Sequence, residues 1–177
     1  GQTEVEDCTI NFVSWGDRGN PGIVLVHGSN AHLEWWRMIA PLLCDQFHVV
    51  AFDLSGSGGS GWRDQYSSQL FGEEVVSVAR AAGMRGRPCV VGHSFGGLVA
   101  LETGHRYGAN LGGVILADYT VSRPGKPDGM AEYARKAAST PFRPTRIYGD
   151  RASALARFRL LPEQTCKHPY VHTHMYI

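Results

Sequence analysis

Long apolar runs are missing from this chain. Stretches such as Val114-Ile115-Leu116-Ala117 are far too short to cross a bilayer, so no membrane partner is expected. An excess of one charge is missing too. The 17 Lys and Arg against 16 Asp and Glu leave a net charge of +1, and no basic block stands out, which removes the electrostatic case for a nucleic-acid partner. Cysteine is sparse: Cys8, Cys44, Cys89 and Cys166 show no C-x-x-C spacing. Structural zinc is therefore not expected, and reduced thiols in a cytoplasmic protein are. No signal-peptide pattern follows Gly1, a first residue that suggests a processed or engineered N-terminus. With 177 residues, 43% of them hydrophobic, the chain holds enough material for one domain core.

Glycine is plentiful, at 22 residues, and three glycine-bearing turns each follow a short apolar run. Residues 21–26 lead into His27-Gly28-Ser29-Asn30, and residues 47–52 into Asp53 and Gly56-Ser57-Gly58-Gly59-Ser60-Gly61. Residues 87–91 lead into Gly92-His93-Ser94-Phe95-Gly96-Gly97. Runs of this kind predict strands buried on both faces. Cys8–Trp15 alternates, as an early antiparallel strand would. Residues 31–46 predict a helix turning Trp35, Trp36, Ile39, Leu42 and Leu43 toward the sheet, kinked at Pro41. Phe71, Val75, Val78 and Ala82 fall at helical spacing, with Gly83 as the stop. A helix over 98–103 and a strand over 111–118 follow. From Thr120 the pattern dissolves into a Pro/Gly-rich stretch, then a short helix over 130–138 and another over 155–161. Such alternation predicts an α/β architecture, a doubly wound and mostly parallel sheet, with residues 1–119 as its core and 120–177 set apart.

In the third turn a GxSxG pattern sits where a strand gives way to a helix. Alone it is a weak signal in a chain so rich in glycine; its context strengthens it. The backbone must bend sharply there, and Gly92, Gly96 and Gly97 lack the Cβ atoms that would clash. Ser94 is thereby held at the tip of the bend. The Phe95 N–H and the positive end of the new helix point to where an oxyanion would form. Strand, His-Gly loop, helix, strand, aspartate with glycines, helix, strand, GxSxG, helix, strand: this order resembles the α/β-hydrolase fold, in its serine-nucleophile, esterase- or lipase-like branch.

The resemblance implies a serine hydrolase that cleaves a small-molecule ester or related acyl substrate through an acyl-enzyme on Ser94, with no metal or organic cofactor. It implies an oxyanion hole made by the backbone N–H groups of Ser29 and Phe95, and a cap or lid beginning near residue 120. A serine nucleophile argues against the aspartate-dependent alkyl-enzyme chemistry of dehalogenases and epoxide hydrolases in this fold. The triad order is serine, acid, histidine, so the partners follow Ser94. Asp118, at the end of the next strand, either orients the base or caps the loop leaving that strand. Asp150 is a rival, although the family's acid usually lies two residues further on, at Ala152, and the stretch is read as cap; an acid beyond the chain is the third choice. No histidine fits the base well. His105 is expected to pack within the helix after the elbow. His168, His172 and His174 come late enough but precede no final helix, and the last two could be a metal pair or a solvated tail. The expectation is an N-terminal portion of a longer hydrolase, truncated after the start of the cap. Its C-terminal core strands and catalytic histidine would lie beyond Ile177, and the 111–118 edge would be unpaired. A non-catalytic ligand-binding relative, or an inactive fragment that keeps the elbow without the triad, is the alternative.

Gly56 to Gly61 also match GxGxxG, the dinucleotide fingerprint. That motif should open a helix directly, with an acidic residue about twenty positions on; here Trp62 to Tyr66 are loop-like, and Glu73 and Glu74 fall in a helix. The better match is the family's D-x-R-G-x-G-x-S turn, in which Ser55 replaces the arginine and leaves the loop's support in question. His27 and His93 are expected to be structural. Trp35, Trp36 and Trp62 are divided between core and an apolar pocket, and the Phe95 side chain is expected to reach toward the site.

Overall fold

The computed structural model describes residues 1–121 and 147–157, and the chain divides into two units, Gly1–Tyr119 and Thr120–Tyr176. The first unit is built on six strands: β1 (Gln2–Val5), β2 (Cys8–Trp15), β3 (Gly22–Val26), β4 (His48–Phe52), β5 (Cys89–His93) and β6 (Gly113–Ala117). They lie in the order β1-β2-β4-β3-β5-β6. β1 and β2 form an antiparallel hairpin, and β2 runs antiparallel to β4. β4, β3, β5 and β6 are mutually parallel. Their registers pair Val26 with Phe52, Val26 with Gly92, and His93 with Ala117. All four parallel strands therefore finish along one edge, where ligands gather in open α/β sheets.

Strand alternation sorts the apolar residues onto two faces. Val24, Val26, Val50, Phe52 and Val90 pack with Val75 and Val78 of helix α1 (Ser68–Ala81) and Val99 and Ala100 of helix α2 (Phe95–Tyr107). On the other face Leu25, Val49 and Ala51 meet Leu33 and Ala40, with Trp36 and Leu43 packed against them. Helix α1 starts at Ser67, whose hydroxyl accepts from Leu70 N–H at 3.1 Å, and stops at Gly83, in the left-handed region at φ +77.

Three expectations change. Residues 31–46 form two short 3-10 helices, Leu33–Trp36 and Ala40–Leu43, rather than one kinked α-helix. Pro41 has no N–H for an interior helical bond and occupies the first turn of the second segment, where none is needed. Trp36 serves the core and Trp62 is 78% exposed. β5 is not buried on both faces: Val90 is inaccessible, whereas Cys89 and Val91 are partly exposed among the described residues. Finally, His105 lies on the exposed side of the last turn of α2 instead of packing inward.

In the second unit, helix α3 (Arg151–Arg157) begins four residues before the expected start at 155. Asp150 caps it, accepting from Ser153 N–H at 2.7 Å and Ser153 Oγ at 3.1 Å, and these bonds hold its carboxyl below the usual range. The expected helix over 130–138, Cys166, and His168, His172 and His174 lie outside the described residues. Among the described residues no helix is long and apolar enough to cross a membrane.

The histidine that opens β4 carries a pH prediction. His48 is 1% exposed, and among the described residues neither ring nitrogen has a hydrogen-bond partner. Burial, reinforced by Arg18, pushes its pKa down, with Asp17 pulling the other way. A histidine depressed in the folded state is protonated more readily when unfolded, so stability is intact above about pH 6.5 and declines below it. His27, depressed chiefly by burial, adds to the same trend. Urea midpoints should fall between pH 7.5 and 5.5, and His48→Leu should flatten that fall; equal slopes in the two proteins would remove His48 from the account.

Candidate active site at the carboxyl ends of the strands

The bend after β5 is as tight as the glycines require. A Cβ on Gly92 would stand 2.0 Å from the Gly96 carbonyl oxygen, and one on Gly96 would stand 2.4 Å from the Val26 oxygen and 2.6 Å from that of His27. Helix α2 thus begins directly against the end of β3. Ser94 sits at its N-cap with φ 51 and ψ −118, and its side chain makes no capping bond. Its N–H donates to the Ala117 carbonyl at 3.0 Å and its own carbonyl accepts from Gly97 N–H at 2.8 Å. A serine in this region of the backbone map is strained, and such residues persist only where the surroundings over-determine them.

The His-Gly loop lies against the same point. A Cβ on Gly28 would be 3.1 Å from Ser94 Cβ and 3.1 Å from His93 Nδ1, so the Gly28 backbone lies close beside the serine. Ala31 N–H closes the turn on the Gly28 carbonyl at 3.3 Å, with Asn30 at φ 57 inside it. Ser29 is exposed in that turn. Phe95 opens α2, where an amide has no intrahelical acceptor. Its ring turns instead onto α1, edge-on to Phe71 at 5.5 Å, and Phe71 stacks on Tyr66 at 5.9 Å. Asp118 follows β6, exposed and at φ 51. Of the four non-glycine residues at positive φ among the described residues, Asn30, Ser94 and Asp118 follow the ends of β3, β5 and β6. The fourth, Glu6, turns the β1–β2 hairpin.

Behind this edge the Asp53 turn acts as a hub. Asp53 is 2% exposed. One carboxylate oxygen accepts from Leu33 N–H at 2.7 Å, and the other from Asn11 Nδ2 and Gly59 N–H, both at 2.9 Å. Ser60 Oγ donates to the Asp53 carbonyl at 2.6 Å and accepts from Asn11 N–H at 2.9 Å. The turn opens no helix, since α1 begins only at Ser68, which agrees with the rejection of a dinucleotide site. His27 joins this turn to the His-Gly loop: Leu54 N–H donates to its Nε2 at 3.0 Å, and its Nδ1 lies 2.8 Å from the Gly28 carbonyl. Both nitrogens are committed, so His27 is structural and not a base.

Sequence reasoning passed over Glu74 and Arg63. Glu74 is fully buried, and it accepts from Ser55 N–H and from the Arg63 guanidinium. Burial pushes its carboxyl up against the pull of Ser55 and Arg63. One signal was present: Glu74 falls on the inward stripe of α1, between Phe71 and Val78, where a carboxylate needs a buried partner.

Known proteins resemble this chain. A fluoroacetate dehalogenase from a Burkholderia species is 38% identical over 109 residues, covering 58% of this chain and 34% of that protein. An esterase of Mycobacterium tuberculosis is 32% identical over 120 residues, covering 67% of this chain and 39% of its own. The chain therefore spans well under half the length of these relatives. The crystal structure of a membrane phospholipase A, a bacterial virulence factor, superposes with a TM-score of 0.66 at 29% identity, over 77% of this chain and 44% of that one. The profile of the alpha/beta hydrolase family matches residues 23–173, a span that takes in the His-Gly loop, the Asp53 turn and the elbow, and the chain belongs to that family.

Proposed function

We propose that this chain carries the nucleophile and oxyanion donors of a serine hydrolase acting on an ester or related acyl substrate. The observation that carries the reading is Ser94 itself: a non-glycine residue at φ 51 and ψ −118, at a strand-to-helix bend, beside the Gly28 backbone. Ser94 Oγ attacks the acyl carbon while a histidine takes its proton. The carbonyl oxygen becomes an oxyanion held by the N–H groups of Ser29 and Phe95, each donor worth roughly 3 kcal/mol in the transition state. The leaving alkoxide takes the proton from the histidine, and water then releases the acid from the acyl-enzyme. Asp118 is our candidate for the carboxylate that orients the base, because it follows the strand hydrogen-bonded to that of the nucleophile. Asp150 is already engaged as a helix cap. Aspartate-dependent dehalogenation is not our reading, since it needs a carboxylate where Ser94 stands.

The test is intact mass spectrometry before and after a fluorophosphonate probe, with Ser94→Ala as control. A single adduct that maps to Ser94 and vanishes in the variant is the expected result. No adduct on the native protein would favour the other reading, a ligand-binding relative that keeps the elbow without the chemistry.

A further inference from the structure

Ser55 stands where the family's turn has arginine, and the fold brings a guanidinium from another direction. The Arg63 side chain is 2% exposed and that of Glu74 0%. Arg63 Nε and Nη2 donate to Glu74 Oε1 at 3.3 and 3.2 Å, Nη1 donates to Asp7 Oδ1 at 2.6 Å, and Nη2 also reaches the Val5 carbonyl at 2.8 Å. The other Glu74 oxygen accepts from Ser55 N–H at 3.1 Å. The preceding amide, Leu54, donates to His27 Nε2, and the far side of that ring meets the Gly28 carbonyl. An unbroken path thus runs from the middle of α1 to the loop beside Ser94.

We propose that Arg63 and Glu74 are positioning residues for the Ser29 oxyanion donor, acting through the Leu54–Ser55 segment and the tautomer of His27. The proposal rests on the reading of Ser94 as an acyl-transfer nucleophile. A backbone amide can only donate, so Leu54 N–H keeps Nε2 of His27 unprotonated and places the ring proton on Nδ1, which donates to the Gly28 carbonyl. Across a trans peptide the carbonyl and the following N–H point to opposite sides. Pinning the Gly28 oxygen therefore fixes the direction of Ser29 N–H. Arg63 holds Glu74 with its planar fork, and Glu74 holds Ser55. Without that acceptor the Leu54–Ser55 segment shifts and the other tautomer becomes accessible. Its Nδ1 lone pair would then face the Gly28 oxygen and turn the peptide away. Stability alone does not account for the pair, because two buried charges add little over apolar side chains of equal volume.

The test removes both charges together, as Arg63→Met with Glu74→Leu, so that no lone charge remains in the core. Long-range proton–nitrogen NMR of the folded protein reads the His27 tautomer, and turnover of a short-chain ester by the full-length protein reads its effect. The wild type should show proton on Nδ1 alone. The double variant should show a tautomer mixture, a kcat lower by roughly tenfold, and a KM within about twofold. A folded double variant with the Nδ1–H tautomer and wild-type kcat would overturn the proposal. Should it not fold, Glu74→Gln decides. Its single carbonyl oxygen cannot serve both Ser55 and Arg63, and an unchanged tautomer there overturns the proposal equally. If the wild type neither turns over esters nor takes the phosphonate, the hydrolase reading fails, while the tautomer still decides whether Glu74 governs His27.

Discussion

Ser94→Gly should abolish turnover and yet make the protein more stable. On the proposed acyl-enzyme reading, loss of the serine nucleophile lowers kcat by about 10⁴- to 10⁶-fold. The gain in stability has a separate origin. Ser94 holds φ 51 and ψ −118, where a Cβ is strained by about 1–3 kcal/mol and glycine is not. Glycine's greater freedom in the unfolded chain returns about 0.5–1 kcal/mol of that, which leaves a net gain near 1 kcal/mol. The Ser94 side chain caps no backbone group, so little else is lost. Ser94→Ala keeps the Cβ and should lose activity without that gain. Urea unfolding of the two variants side by side separates the effects; a glycine variant no more stable than the alanine variant would show that the bend is not strained.

Gly96→Ala should destabilise the protein strongly. The new atom would lie 2.4 and 2.6 Å from two backbone oxygens, those of Val26 and His27, and neither can rotate away as a side chain would. Helix α2 would have to lift from the end of β3 and carry the Phe95 amide with it. A loss of at least about 3 kcal/mol is expected, a large share of the roughly 5–15 kcal/mol that holds a domain folded. Gly108→Ala is the matched control, because φ is −55 there and nothing lies within 4 Å of the added methyl. It should be neutral or slightly stabilising. Similar denaturation midpoints for the two variants would contradict the close approach of α2 to β3.

The residues that were legible are those whose role is written in local spacing. The apolar runs before His27, Asp53 and Ser94 announced β3, β4 and β5, and the 3.6-residue spacing of Phe71, Val75 and Val78 announced α1. The segment over 31–46 misled because its apolar residues are spaced for a helix, while Pro41 and the docking of Leu33 and Ala40 on the sheet favour two tighter turns. The supporting shell was hidden for another reason. Arg63 and Glu74 are eleven positions apart, Asn11 and Asp53 forty-two, and no periodicity connects residues that meet only through the sheet order. The replacement of arginine by Ser55 was visible as a gap; what fills the gap was not. The acid and the base of the proposed triad are harder still, since the candidate Asp118 follows a strand at a position that also suits a loop cap and a base has no spacing rule relative to Ser94.

The fastening of the Asp53 turn to the first two strands also bears on the order in which the molecule can assemble. Asn11 binds Asp53, and Arg63 reaches Val5 across fifty-eight positions. At about 5–20 residues per second, a ribosome that has made Val5 needs roughly 3 to 12 s more before Arg63 exists. The β1–β2 hairpin, whose pairing is local, can form in microseconds and must then wait. The turn that will hold His27 lacks its ties to Asn11 and Val5 until that hairpin finds β4. Residues of β1 and β2 are thus made well before the turn they fasten and become useful only after it, and a substitution at Asn11 should delay the appearance of a competent site on refolding more than it delays the helices.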